Sequence, residues 1–140
     1  VDLLNRYLEI EDLRFSENVR YSIKIDPSLR PGAVRIPVMM LQPFVENAIW
    51  HGLLTKKGDR SLEISFRPHG DRLIECVIED NGVGRQKHSE ASLGRQSLAT
   101  SFIEQRLDLL NRLHNTDCRL EIIDKPEKGG TIVTILLPRL

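Results

Sequence analysis

Cysteine is scarce in this sequence: there are two, Cys76 and Cys118, far apart, with no Cys-x-x-Cys spacing and no histidine alternating around them. That excludes a disulfide-dense scaffold and argues against a cysteine-based zinc module. Both cysteines read as small buried apolar residues in a reducing compartment, and nothing supports a disulfide between them, although none is excluded. The four histidines are scattered and form no zinc-ligand pattern. An excess of charge of either sign is lacking as well, since 20 Lys and Arg balance 20 Asp and Glu. No field of one sign is there to draw nucleic acid or an anionic membrane surface. No apolar run approaches the ~20 residues that a membrane-spanning helix requires. The chain also has no signal-peptide pattern at its start.

At 140 residues the chain is long enough for one domain with a sizeable core and a short appendage. Residues 1–15 carry Leu3, Leu4, Tyr7, Leu8, Ile10 and Leu13 among charges, the pattern of an amphipathic helix that must pack on something. Because the chain opens inside such a helix and not at a Met, it is expected to be cut from a longer protein, with any membrane or sensor part upstream. From Val19 the period becomes two: Val19, Tyr21, Ile23 and Ile25 alternate with polar residues as a half-buried strand. Asp26-Pro27 and Pro31-Gly32 punctuate a loop, and Pro37 is well placed to begin a helix.

That helix carries Leu41-Gln42-Pro43-Phe44-Val45-Glu46-Asn47-Ala48-Ile49-Trp50-His51-Gly52. At the helical period Leu41, Phe44, Val45, Ala48 and Gly52 fall on one side, and Pro43, Glu46, Asn47, Trp50 and His51 on the other. The first side is core; the second is either wet or occupied by a ligand. Pro43 is expected to bend the helix or to mark its true first turn. Leu62, Ile64 and Phe66 alternate as a strand, Pro68 to Asp71 read as a turn, and Leu73 to Glu79 form a further strand. Ile74, Cys76 and Ile78 share a face, and period two puts Asp80 on that same buried face, where a carboxylate needs a partner. Asn81-Gly82-Val83-Gly84 follows, and the segment up to about Ser97 has no clear period, so a functional loop is expected there. Phe102, Ile103, Arg106, Leu107, Leu109, Leu110 and Leu113 predict a second major helix with a broad apolar stripe. Strands at Arg119 to Asp124 and Thr131 to Leu137 close the chain; the last is apolar on both faces and should be central or helix-covered. The order implies an α+β fold, a two-layer sandwich with one mixed sheet and helices on a single face.

Three separated pieces carry chemistry: Glu46-Asn47 on a helix, Asp80-Asn81-Gly82-Val83-Gly84 at a strand end, and Gly129-Gly130-Thr131 leading into the last strand. Each alone is commonplace, since Asp-Asn-Gly is a frequent turn and a polar helix pair is usually solvated. In this order and spacing, from about Ser16 onward, they resemble the GHKL ATPases, the superfamily of histidine kinases, type II topoisomerases and MutL. The run Leu-Gln-Pro-Phe-Val-Glu-Asn-Ala-x-x-His-Gly is more narrowly similar to LytS-type sensor histidine kinases. So is the lead-in Asn5-Arg6-Tyr7-Leu8-Glu9-Ile10-Glu11 with Arg14-Phe15. The resemblance implies a Bergerat-type GHKL fold over residues 16–140, with residues 1–15 as the tail of a dimerisation and phosphotransfer helix.

It also implies an ATP site with Mg²⁺. Asp80 matches the carboxylate that accepts the adenine amino group, Gly82 and Gly84 the glycines that let backbone approach the nucleotide, and Thr131 the hydroxyl that helps fix adenine. Asn47 matches the Mg²⁺ ligand and Glu46 the catalytic base. Many histidine kinases have a phosphate-contacting Lys where this sequence has Trp50. Arg85 is the candidate replacement cation, with Lys87, Arg95 and Lys56-Lys57 behind it and solvated surface charge as the other reading. His51 either faces the phosphates or packs on Trp50. Where a second glycine motif is common, this chain has Ser97-Leu98-Ala99-Thr100, whose amides at a helix start remain candidates for phosphate. The Pro-His-Phe phosphoacceptor motif is absent from the chain.

The expected activity is therefore transfer of the γ-phosphoryl group of Mg-ATP to a His on an upstream segment, then to a response regulator. The expected setting is the cytoplasmic part of a membrane-anchored bacterial sensor that is homodimeric at full length, with no nucleic acid and no membrane contact by this part. The alternatives are an ATP-driven clamp of the topoisomerase or MutL kind, or a non-catalytic nucleotide-binding and dimerisation module.

Overall fold

The computed structural model of the chain describes residues 19–29, 38–48, 60–82, 90–124 and 130–138. Strands β1 (Val19–Ile25), β2 (Arg60–His69), β3 (Leu73–Asp80), β4 (Leu120–Asp124) and β5 (Thr131–Pro138) form one sheet in the order β1-β2-β3-β5-β4. β1 runs parallel to β2 and every other pairing is antiparallel, so the sheet is mixed. Helix α1 (Val38–Asn47) and helix α2 (Glu90–His114) complete the described elements. The helix expected over residues 1–15 lies outside the described residues.

Alternation decides which way the sheet faces. Along β3 every second residue is buried, and those inward positions continue across the neighbouring strands as rows. One row is Ile25, Phe66, Cys76, Ile135 and Leu120; the next is Ile23, Ile64, Ile78, Val133 and Ile122. Onto this face α1 lays Met40, Leu41, Phe44 and Val45, Ala48 follows directly after the helix, and α2 adds Ile103 and Leu107, all in a single buried cluster. The two helices touch each other, and α2 touches β5. The result is the expected two-layer α+β architecture, with both helices on the inward face. The opposite face carries Lys24, Glu63, Arg67 and Glu75, with ion pairs Lys24–Glu63 at 3.2 Å and Arg67–Glu75. Such exposed pairs contribute little stability. β5, expected to be central or helix-covered, is central, paired with β3 on one edge and β4 on the other, and Leu136 on its outward side is buried.

Several local expectations are corrected. Pro68 belongs to β2, opposite Ile74, and not to the turn, which is Gly70 to Arg72 with Gly70 at φ 67°. The register explains why a proline is tolerated: Ser61 and Asn81 are a hydrogen-bonded pair, so even-numbered β2 positions point their N–H away from β3. At Pro68 that direction lies past the last β1 pairing, Ile25 with Phe66, so no ladder bond is lost. Pro43 sits inside α1 and not in its first turn, and it has no N–H to offer the Met39 carbonyl.

The loop expected up to Ser97 is also overturned, because α2 begins at Glu90. Glu, Ala, Leu, Arg and Gln in this stretch are intrinsic helix formers, and Glu90 suits the positive helix start. Once residues 103–110 are docked, extending the helix N-terminally needs no new nucleus. Ser97 to Thr100 therefore lie well inside the helix, where their amides serve intrahelical bonds, and the phosphate role considered for a helix start there is withdrawn. The stripe on α2 is narrower than its sequence: Ile103 and Leu107 are buried and Leu110 is half-buried, whereas Phe102, Leu109 and Leu113 are exposed.

The far end of α2 is tied down by polar contacts. Asn115 takes a left-handed conformation with φ 52°, and the Arg72 guanidinium donates to the carbonyls of His114 and Asn115. Asn111 Nδ2 donates to the Cys118 carbonyl at 2.9 Å, while its Oδ1 accepts from the Cys118 N–H and the Thr116 hydroxyl.

Ile64→Ala, at a position with 0% exposure, is expected to lower unfolding stability by about 2–5 kcal/mol in urea titration. Leu109→Ser, at 57% exposure, is expected to change it by no more than about 0.5 kcal/mol. Burial, with the Glu75 charge nearby, pushes the Cys76 thiol well above its usual range, and burial raises that of Cys118. A raised thiol pKa means less thiolate at neutral pH, so neither cysteine should react with Ellman's reagent until urea unfolds the chain.

Candidate functional site

A further inward row, at the Asp80 end of β3, differs from these apolar ones. It contains Leu62, Asp80 and Thr131, the last pairs that β3 makes with β2 and β5. Asp80 is directly opposite Thr131. The same alternation that buries Ile74, Cys76 and Ile78 turns the Asp80 carboxylate inward, leaving it 5% exposed, with Thr131 at 8%. One row deeper, Ile78 is paired with Val133, giving the Asp80–Thr131 pair an apolar neighbour on the same face.

Burying a carboxylate is costly without hydrogen bonds. Asp80 Oδ1 accepts the Gly82 N–H at 2.8 Å, closing a tight turn directly after the strand. The turn is gripped from both flanks. On the β5 side, Gly130 has φ +100°, and a Cβ there would stand 2.0 Å from the Asp80 carbonyl oxygen and 2.9 Å from the Asn81 Cα. Only glycine allows that approach. On the β2 side, the Asn81 N–H donates to the Ser61 carbonyl at 3.2 Å, and Asn81 Oδ1 accepts the Ser61 N–H at 2.8 Å.

α1 covers the same inward face of the sheet. Its apolar side is buried as expected, and Gln42, Pro43 and Glu46 on its other side are half-buried. Gln42 Nε2 donates to Glu46 Oε1 at 3.0 Å, one helical turn apart, which orients the Glu46 carboxylate. Asn47 is the last residue of α1.

Of the residues singled out from sequence, Asp80, Gly82 and Thr131 come together at one rung, and Glu46 and Asn47 lie on the helix that covers that face. His51, Gly84 and Arg85, with Trp50, lie outside the described residues. Sequence reading treats Gly130 and Asn81 only as members of their motifs and passes over Ser61. The glycine pair before a strand is a signal for Gly130; Ser61 has none, because its partner is 20 residues away. Chemically, the rung offers an inward carboxylate and a hydroxyl at the edge of an apolar surface. That suits a flat ring carrying N–H donors, accepted at its edge and packed on its face.

No protein-family model matches the chain. Its fold is that of histidine kinase catalytic domains. The histidine kinase domain of the Erythrobacter litoralis EL346 blue-light activated histidine kinase superposes with a TM-score of 0.65 at 15% identity, covering 97% of this chain and 59% of that one. The mycobacterial sensor histidine kinase MprB superposes with a TM-score of 0.59 at 17% identity, covering 99% and 93%. In sequence, the chain is similar over nearly its whole length to two bacterial proteins. It is 29% identical over 145 residues to the sensor protein kinase HptS of Staphylococcus aureus (strain USA300), covering 99% of this chain and 27% of HptS. It is 30% identical over 145 residues to YwpD of Bacillus subtilis (strain 168), covering 98% of this chain and 48% of YwpD. The chain thus spans about half or less of the length of these relatives.

Gly130→Ala is expected to lower unfolding stability by more than about 1 kcal/mol, since it combines a left-handed backbone with a backbone clash. Urea titration measures this, and Gly70→Ala, with φ +67° but nothing within 4 Å of the added Cβ, is the control that isolates backbone strain from the clash.

Proposed function

We propose that this chain is the ATP-binding catalytic domain of a LytS-like sensor histidine kinase, with residues 1–15 as the tail of its dimerisation helix and residues 16–140 as the catalytic unit. The observation that carries the reading is the Asp80–Thr131 pair on the last inward rung, clamped by Gly130 on one side and Asn81 on the other. The Asp80 carboxylate accepts the adenine amino group, the Thr131 hydroxyl supports the ring edge, and Ile78 and Val133 form the apolar surface below. Gly82 and Gly84 let the backbone approach the nucleotide.

Asn47 is the residue assigned to Mg²⁺, a hard cation that takes oxygen ligands and neutralises phosphate charge when bound. Arg85 is assigned to the phosphates together with His51. Glu46, oriented by Gln42, is the base. It polarises the imidazole of an upstream His, whose nitrogen forms a bond to the γ-phosphorus as the bond to the bridging oxygen breaks and ADP leaves. Catalysis of this kind is mainly positioning and charge neutralisation. The partners are that phosphoacceptor segment, a second copy of the full-length protein, and a response regulator that takes the phosphoryl group onto Asp. The setting is the cytoplasmic side of a membrane-anchored sensor.

One observation favours a non-catalytic nucleotide-binding module as the second reading. α2 starts at Glu90, which leaves only residues 83–89 between Gly82 and the helix to close over phosphates.

Calorimetric titration with ATP, with and without Mg²⁺, tests both readings. The chain should bind ATP, Asp80→Asn should weaken binding by at least about tenfold, the scale of one buried hydrogen-bond partner lost, and Asn47→Ala should remove mainly the Mg²⁺ dependence. Unchanged binding in Asp80→Asn, or none at millimolar nucleotide, overturns the assignment. Binding without phosphoryl transfer to a supplied upstream His segment selects the non-catalytic reading.

A further inference from the structure

Asn81 stands between the two residues of its motif that carry chemistry, and its own side chain does something specific. Ser61 and Asn81 continue the antiparallel register of β2 and β3 by one step beyond the Leu62–Asp80 pair. The Asn81 N–H to Ser61 carbonyl bond marks this as a pair that would ordinarily exchange two main-chain bonds. The second bond is made differently: the Ser61 N–H donates to Asn81 Oδ1 at 2.8 Å, at the place where a partner's main-chain carbonyl would accept.

The side chain thus stands in for the main chain. The Ser61–Asn81 pair keeps two bonds, yet the second is not made by the Asn81 backbone carbonyl, so the chain can leave the strand at Asn81. The departure is immediate, because the Gly82 N–H turns back onto Asp80 Oδ1 at 2.8 Å. A carbonyl held in the ladder would carry the strand on past residue 81 and pull Gly82 away from that carboxylate. Gly130, pressed against the Asp80 carbonyl from β5, leaves no slack on the other flank.

From this geometry we infer that Asn81 is a positioning residue: by replacing its own carbonyl opposite Ser61 it sets the rotation of the Asp80 carboxylate, and through it the selection of adenine over purines lacking the 6-amino group. The inference rests on the assignment of Asp80 to adenine.

The test uses the 140-residue chain and compares its affinity for ATP with that for inosine triphosphate, which has an oxygen where adenine has the amino group. Wild type should prefer ATP by at least about tenfold, the scale of one buried donor–acceptor pair. Asn81→Ala should reduce the preference to within about threefold, whereas Asn81→Asp, which keeps an oxygen for the Ser61 N–H, should retain it. The ratio is the informative readout. A merely structural defect weakens both nucleotides alike, and the charge added by Asp acts equally on the two triphosphates. If Asn81→Ala does not fold, Asn81→Gln, which shifts the amide by one methylene, is expected to show the same collapse. Wild-type preference in both Asn81→Ala and Asn81→Gln overturns the inference, and so does a collapse in Asn81→Asp equal to that in Asn81→Ala. Asp80→Asn separates the two levels. If wild type shows no preference, or Asp80→Asn keeps it, the adenine assignment fails and takes this inference with it. If Asp80→Asn abolishes the preference and Asn81→Ala does not, only the role of Asn81 fails.

Discussion

β3 is paired on both edges, and its side chains alternate strictly between the two faces of the sheet. Sliding its register by one residue would turn Ile74, Cys76 and Ile78 outward together, at a cost on the order of several kcal/mol of lost apolar burial. The same alternation carries one step further to Asp80. Hydrophobic burial thus holds a carboxylate on the inward face, where its own solvation would never place it. The remaining features of the rung follow from having to accommodate that carboxylate: the turn back from Gly82, the close approach of Gly130 and the exchange of bonds at Ser61.

Two different kinds of force therefore build one end of the sheet. Non-directional burial by α1, α2 and the apolar inward rows of strand residues supplies most of the stabilisation and fixes which face is inward. Directional contacts then specify the last rung within a tolerance that burial cannot provide. A Cβ at residue 130 has no room, and the second ladder bond of Ser61 goes to a side chain. Motif positions that look interchangeable along the sequence are in this way unequal in space. Asn81 and Gly130 meet backbone from neighbouring strands, while Gly70, also left-handed, meets nothing and serves only its turn.

The strands and the inward parity of Asp80 were legible because both depend on local alternation, read over a few residues. The apolar side of α1 was legible for the same reason at the helical period. α2 was less so. Its leucines at 109 and 113 match the pattern of a buried stripe, yet the sheet offers α2 only the line through Ile103, Leu107 and Leu110. Its start at Glu90 has no amphipathic signature, because that half is helical by propensity and by continuation from a docked nucleus. Pro68 reads as a turn in isolation; only the register, with β1 ending opposite Phe66, shows that its missing N–H costs nothing.

The sequence by itself determined the alternation of each strand, the apolar side of α1, and the presence of a carboxylate, a hydroxyl and a glycine pair at three separate places along the chain. It also carried the likeness to sensor histidine kinases. The tertiary structure alone decided that Asp80 and Thr131 face each other, that Gly130 must lack a side chain because of the Asp80 carbonyl, and that Asn81 replaces its own backbone opposite Ser61. The physical reason is separation along the chain. Alternation and propensity act between neighbours, whereas these three relations join residues 20 to 51 positions apart, and they come into being only when strand pairing sets the register.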